Sequence, residues 1–174
     1  MPLLTGHPHR SAGFRVLKAP DIPSVLLELG YLSNRADEKL LRNFLSAMTG
    51  LSRTAGRAIA EKFDWGAYRT VIDVGCAQGA VPVEVALRHP HLRGGGFDLP
   101  AVRPVFEDFV RENGLAERLR FHPGDMFNEP LPTADVIVMG HILHDWGMDQ
   151  KRQLIAKAYD ALPTGGAFIV YEAI

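Results

Sequence analysis

The chain has 174 residues, with 19 Lys plus Arg against 20 Asp plus Glu and a formal net charge of -1 when histidines are neutral. Hydrophobic residues at 47% and charged ones at 22% suffice for one domain-sized core and exclude a disordered acidic chain. The balanced charge argues against a broad basic face for nucleic acid; the single Cys76 excludes a disulfide framework and a cysteine zinc site. No stretch reads as a membrane span or a secretory signal, so a soluble, cytoplasmic protein is expected.

Up to about residue 43 the sequence is polar and Pro-rich. Ser24–Leu29 is a short apolar run ending at Gly30 and reads as a strand; Asn34 is placed to cap a helix opening over Ala36–Leu41. The helical pattern continues to about Phe63, with a break expected at Gly50. From Arg69 onward strands and helices alternate, which predicts an α/β architecture with a mostly parallel sheet and flanking helices. Thr70–Val74 is a β-branched run stopped by Gly75, and Val81–Arg88 is helical up to Pro90. A short strand over Gly95–Asp98 precedes an amphipathic helix over Ala101–Asn113, with Val102, Val105, Phe106, Phe109 and Val110 on one face. Leu119–His122 and Asp135–Met139 read as strands three and four, Gln150–Leu162 as a helix, and Phe168–Glu172 as strand five. In such a sheet ligands lie beyond the carboxyl ends of the strands, beside the first one.

The first strand-to-helix loop reads Asp73-Val74-Gly75-Cys76-Ala77-Gln78-Gly79. A dinucleotide fingerprint would need glycine at 75, 77 and 80, and two of these are alanine; no Lys follows Gly79 to make a P-loop. The remaining D-x-G-x-x-x-G lets a ligand approach the backbone, and it equally suits a bare tight turn. Asp98 closes the second strand 19 residues beyond Gly79, where a carboxylate is placed to accept from ribose hydroxyls or to cap the next helix. After strand three, Asp125 is a candidate acceptor for an adenine amino group with Met126 against the ring; Met126 alone would read as core.

Residues from about 44 to 174 resemble the S-adenosylmethionine-dependent O-methyltransferases of the plant caffeate and acetylserotonin type and their bacterial relatives. The resemblance rests on VIDVGCAQGAVP, GFDLPAV, RFHPGDMF, VIVMGHILHDWGMDQ and ALPTGGAFIVYEA, in the family's order. It implies a Rossmann-like methyltransferase core and S-adenosyl-L-methionine as cofactor. Asp73 and Gly75 would hold its methionine part, Asp98 its ribose, and Asp125 and Met126 its adenine. In His144-Asp145-Trp146, the resemblance implies that His144 is the general base for a substrate hydroxyl, and that Glu172 fixes its tautomer and steadies its cation. A phenol near pKa 10 against an ordinary imidazole near 6.5 implies proton loss concerted with methyl transfer. Asp145 reads as a helix cap. The acceptor implied is a small hydroxylated molecule, aromatic ones included, with neither nucleic acid nor membrane as partner; no metal is expected.

Two departures stand out. Gly140 occupies the position where plant members carry a Lys against adenine, and the sequence is expected to be truncated after strand five, without the family's last strands, its second acid and its dimerising amino-terminal helices. Residues from about 9 to 42, RSAGFRVLKAPDIPSVLLELGYLSNRADEKLL, are similar to the carboxyl end of zinc-dependent N-acetylmuramoyl-L-alanine amidases. That resemblance maps a catalytic acid onto Glu28; the family's zinc ligands find no match here, and the His7 and His9 pair reads as a solvated loop. The expected organisation is an amidase-like remnant with a short strand-helix extension over 1–43 and a methyltransferase domain over 44–174. The alternatives are a peptidoglycan hydrolase fragment, separable by its need for zinc, and a cofactor-binding module without turnover.

Overall fold

The computed structural model describes residues 49–50 and 52–172. The strand at Ser24–Leu29, the helix start at Ala36–Leu41, Glu28, His7 and His9 lie outside the described residues. A first helix, α1, covers residues 52–62, and Gly50 is itself helical, so the expected break does not fall there. A side chain at position 50 would meet open space, and one glycine costs a helix only about 1 kcal/mol.

Five parallel strands follow: β1 (Thr70–Val74), β2 (Arg93–Asp98), β3 (Leu119–Pro123), β4 (Val136–Gly140) and β5 (Ala167–Tyr171), in the order β3-β2-β1-β4-β5. The helices between them are α2 (Ala80–Arg88), α3 (Arg103–Glu112) and α4 (Met148–Ala161). Alternation along β1 sends Ile72 and Val74 to a core shared with Ile137, Met139, Leu154 and Ala158, under α4. Val71 faces the other way, with Val81, Val85, Val136, Val138 and Trp65, under α1 and α2. A third cluster joins α2 to α3 through Val83, Phe106, Val110 and Phe121. Each fully buried aliphatic or aromatic side chain contributes roughly 1.5–3 kcal/mol of transfer free energy. No helix among the described residues is long and apolar enough to cross a membrane.

Other boundaries move by one or two residues, and three of the differences have clear local reasons. The helix foreseen over Ala101–Asn113 splits into a 3₁₀ turn, Pro100–Val102, and α3, because Pro104 fits only the first turn of an α-helix. β2 begins two residues earlier, at Arg93, because the N–H of Gly94 reaches Arg118 O and that of Arg93 reaches Arg69 O. Asp135 precedes β4 instead of opening it. Its carboxylate accepts from the N–H groups of Arg69 and Thr70 at 2.7 and 2.9 Å, while its own N–H donates to Thr70 Oγ1 at 2.9 Å. This reciprocal clamp aligns the starts of the two central strands.

Candidate active site

The strand ends at one edge of the sheet supply the site. Asp73 is the one buried charged residue among those described, at 4% exposure, one position before the end of β1. Burial, and then the neighbouring Asp98 charge, hold its pKa well above the ordinary carboxylate value; no hydrogen bond among the described residues offsets that burial. Gly75 turns the chain out of β1 with φ 71°, its N–H donating to Phe97 O at 2.8 Å, and a Cβ there would stand 2.3 Å from Ile142 Cδ1. Ala77, the second position of the failed fingerprint, has φ 49°, so an alanine holds the left-handed conformation that glycine usually fills. Gly79, at φ 85°, precedes α2. Cys76 is buried, and burial, then the charges of Asp98 and Asp73, push its thiol pKa up, so it stays protonated and unreactive.

Asp98 ends β2 beside this turn. Its Oδ2 accepts from the Ala77 N–H at 2.9 Å and its Oδ1 from the Leu99 N–H at 2.8 Å, which fixes the carboxylate while leaving lone pairs free. Burial raises its pKa against those two bonds. Beyond β3, Asp125 accepts from the Phe127 N–H at 2.9 Å and from Asn128 Nδ2 at 2.6 Å, closing a turn. α4 holds that turn from outside: Lys157 Nζ donates to Met126 O, and Gln153 Nε2 to Phe127 O at 3.0 Å. Asp98, Leu99, Asp125, Met126, Phe127 and Trp146 are among the residues that wall one cavity of about 350 Å³, within the range of small-ligand pockets. Asp73 and Gly75 are not in its wall; they lie at the end of the adjacent strand.

The second cluster lies between β4 and β5. Glu172 follows β5; its Oε2 is 2.5 Å from His144 Nδ1, and its Oε1 accepts from the Leu143 N–H at 2.9 Å. Burial works to raise Glu172, but the His144 and Leu143 bonds and the His144 charge prevail and hold its pKa below the ordinary value. His144 has 46% of its side chain exposed. Asp145 is not the helix cap that was expected. Gly147 occupies the cap position of α4 without a side-chain bond, and Asp145 Oδ1 instead lies 3.1 Å from His144 Nε2. Two residues on, Trp146 packs edge-on to Phe127 with ring centroids 4.5 Å apart, tying the His144 segment to the cavity wall.

Tyr171, which no motif of the sequence marks with a role, explains the departure at Gly140. The two face each other across β4 and β5, and a Cβ at 140 would lie 1.9 Å from Tyr171 Cζ, so the phenol ring fills the space of any side chain there. Burial, then the Asp73 charge, raise the Tyr171 pKa, opposed by a hydrogen bond with Ser52. The only sequence signal was the pairing of a small residue with a large one two positions before the end of the chain's last motif run. Phe127 and Trp146 were legible as motif letters but not as cavity walls, because their meeting depends on how α4 packs.

The family model of the O-methyltransferase domain matches residues 28–174. The match therefore begins inside the stretch likened above to amidases. The N,N-dimethyltransferase OxyT of Streptomyces rimosus is 42% identical over 142 residues, covering 82% of this chain and 41% of that protein. The tetracenomycin polyketide synthesis 8-O-methyl transferase TcmO of Streptomyces glaucescens is 39% identical over 143 residues, covering 82% and 42%. The crystal structure of human N-acetylserotonin methyltransferase in complex with SAM superposes with a TM-score of 0.68 at 27% identity, covering 76% of this chain and 38% of that one. The chain thus spans about two fifths of the length of the curated relatives it matches.

Proposed function

From the premise that this chain belongs to the O-methyltransferase domain family, we propose that it takes part in methyl transfer from S-adenosyl-L-methionine to a hydroxyl of a small, aromatic acceptor. The observation that carries the proposal is the joint placement of Asp98, Asp125 and Met126 on one cavity, with the His144–Glu172 pair beyond Trp146. The residues suit the cofactor chemically. Asp98, fixed by two backbone bonds, keeps acceptor capacity for two ribose hydroxyls, and Asp125 with Met126 offers an acceptor and a polarisable side chain to adenine. Asp73, buried with no hydrogen bond among the described residues, suits the ammonium of the methionine part, whose charge would return it to the ionised form. Gly75 keeps the approach free of a side chain.

When bound, the cofactor supplies a methyl group on a sulfonium. The chain's own part is a proton: with Glu172 on Nδ1, His144 would accept it at Nε2 once the acceptor hydroxyl displaces the exposed Asp145 carboxylate that lies 3.1 Å from that atom, and Glu172 stabilises the imidazolium as it forms. The Streptomyces glaucescens relative is named as an 8-O-methyl transferase, and an oxygen acceptor such as a phenol suits an imidazole base acting in concert with transfer. The Streptomyces rimosus relative is named as an N,N-dimethyltransferase, which favours a second reading in which the acceptor is an amine. We propose likewise that 1–43 is an amidase-like remnant and 44–174 the methyltransferase domain of a cytoplasmic protein.

The test is a pair of assays. Calorimetry with S-adenosylhomocysteine is expected to show saturable binding; its absence from the wild-type protein overturns the reading. Transfer to a phenolic and to an amine acceptor then separates the two acceptor classes. His144→Ala should slow transfer to the phenol at least about a hundredfold, and a smaller loss than that on a well-bound phenol assigns the amine.

A further inference from the structure

His141 has no part in the chemistry above, yet its placement is constrained. It leaves β4 with φ 55°, a conformation uncommon outside glycine, and its N–H donates to Tyr171 O at 3.0 Å. That bond extends the β4–β5 ladder one step and sets the ring edge-on to Tyr171, with centroids 5.1 Å apart, and edge-on to His144 at 6.0 Å. No hydrogen bond engages the His141 ring among the described residues. One donor atom from each of His141, His144 and Glu172 lies within 4.8 Å of the others.

We propose that His141, His144 and Glu172 form a binding site for a divalent transition-metal ion of the zinc type, and that the bound ion takes His144 Nδ1 and the Glu172 carboxylate, and so removes the partner that orients His144 as a base. Two imidazoles and one carboxylate are a donor set that zinc accepts, with a fourth position left to water, whereas magnesium and calcium prefer all-oxygen sites. Tetrahedral bonds of about 2.0–2.2 Å put donors roughly 3.3 Å apart. The His144–Glu172 contact therefore opens slightly and the His141 ring turns inward, movements that side-chain rotation supplies at this exposed edge. Each histidine gives a neutral imidazole lone pair and Glu172 an ionised oxygen, and any proton held between His144 and Glu172 passes to solvent. Binding of the ion stands apart from the methyl-transfer reading; only its inhibitory consequence rests on it.

The experiment is a calorimetric titration with zinc chloride alone, on protein carrying His7→Ala and His9→Ala so that this pair does not compete. One ion per chain with a dissociation constant of micromolar order is expected. His141→Ala and Glu172→Gln should each weaken it at least about thirtyfold, and His122→Ala, on β3, should leave it unchanged. Cobalt(II) in place of zinc should give the intense visible bands of a four-coordinate site, lost in His141→Ala. Binding no tighter than millimolar, or equal in wild type and His141→Ala, overturns the site. S-adenosylhomocysteine titrated without metal into wild type and into His141→Ala separates the two readings: equal binding by both shows that the variant is folded, and no binding by wild type with zinc binding kept sinks the methyl-transfer reading and spares this one.

Discussion

Asp98 carries two backbone N–H groups and still faces the cavity, so its removal acts on ligand and scaffold together. Asp98→Ala should weaken S-adenosylhomocysteine binding by roughly ten- to a hundredfold, the worth of a charge-assisted hydrogen bond of about 1.5–3 kcal/mol. Calorimetry on both proteins measures it, and equal affinities would remove Asp98 from the site. Glu172 gives a pH signature of the same local kind. Its pKa is depressed in the folded protein, so its contribution to stability is complete above its ordinary value and is lost as pH falls through the folded value. Asp135, depressed despite burial by its bonds to Arg69 and Thr70, adds in the same acid window. Thermal denaturation from pH 6 down to about 2.5 should therefore show stability falling in wild type below the usual carboxylate pKa near 4, and falling less steeply in Asp135→Asn.

At the scale of elements, Arg118 is the clearest case of one side chain finishing a helix. Its guanidinium donates to Ala86 O at 2.7 Å, to Pro90 O at 3.0 Å and to His89 and Leu92 O at 3.3 Å, taking up carbonyls at the end of α2 and in the turn to β2. Arg118→Ala leaves these partly buried acceptors to water and should cost about 1.5–3 kcal/mol in urea denaturation. A value within 0.5 kcal/mol of wild type, the usual surface range, would show that water replaces the guanidinium fully. The role of Arg118 was not legible in the sequence, since its four partners come from the end of α2 and the turn after it, 26 to 32 residues away. The β-branched run Thr70–Val74 and the amphipathic face of α3 were legible, because a buried parallel strand and a one-sided helix each leave a period in the sequence. Asp98, Asp125 and Met126 were legible because each sits at the end of a strand, where chain order fixes location. The roles of Asp145 and Tyr171 were not, because one depends on which way a 3₁₀ turn points and the other on cross-strand register with Gly140.

Taken as one body, the molecule gathers its candidate site from elements that are distant in sequence: the end of β2 with the turn after β1 beside it, the turn after β3 held by Lys157 and Gln153, and the segment between β4 and α4. A ligand that bridges them binds the folded state and has no counterpart site in the unfolded chain, so it must stabilise the whole sheet by linkage. At a hundred times the dissociation constant that gain is about 2.7 kcal/mol. For a chain of this size each kcal/mol moves the midpoint by roughly 2–4 °C, so S-adenosylhomocysteine at that concentration should raise Tm by about 5–10 °C. Asp98→Ala, measured at the same ligand concentration, should retain about half of that rise or less, because for a ten- to hundredfold weaker site the ligand stands at only about one to ten times the dissociation constant. Lys157→Met tests the bridging argument itself. Lys157 is not itself in the cavity wall, but the change releases the carbonyl of Met126, which is, so it should reduce the ligand-induced rise by more than it lowers Tm without ligand. If Lys157→Met lowers both equally, the turn after β3 is not positioned by α4 for binding, and the lysine serves only the packing of that helix.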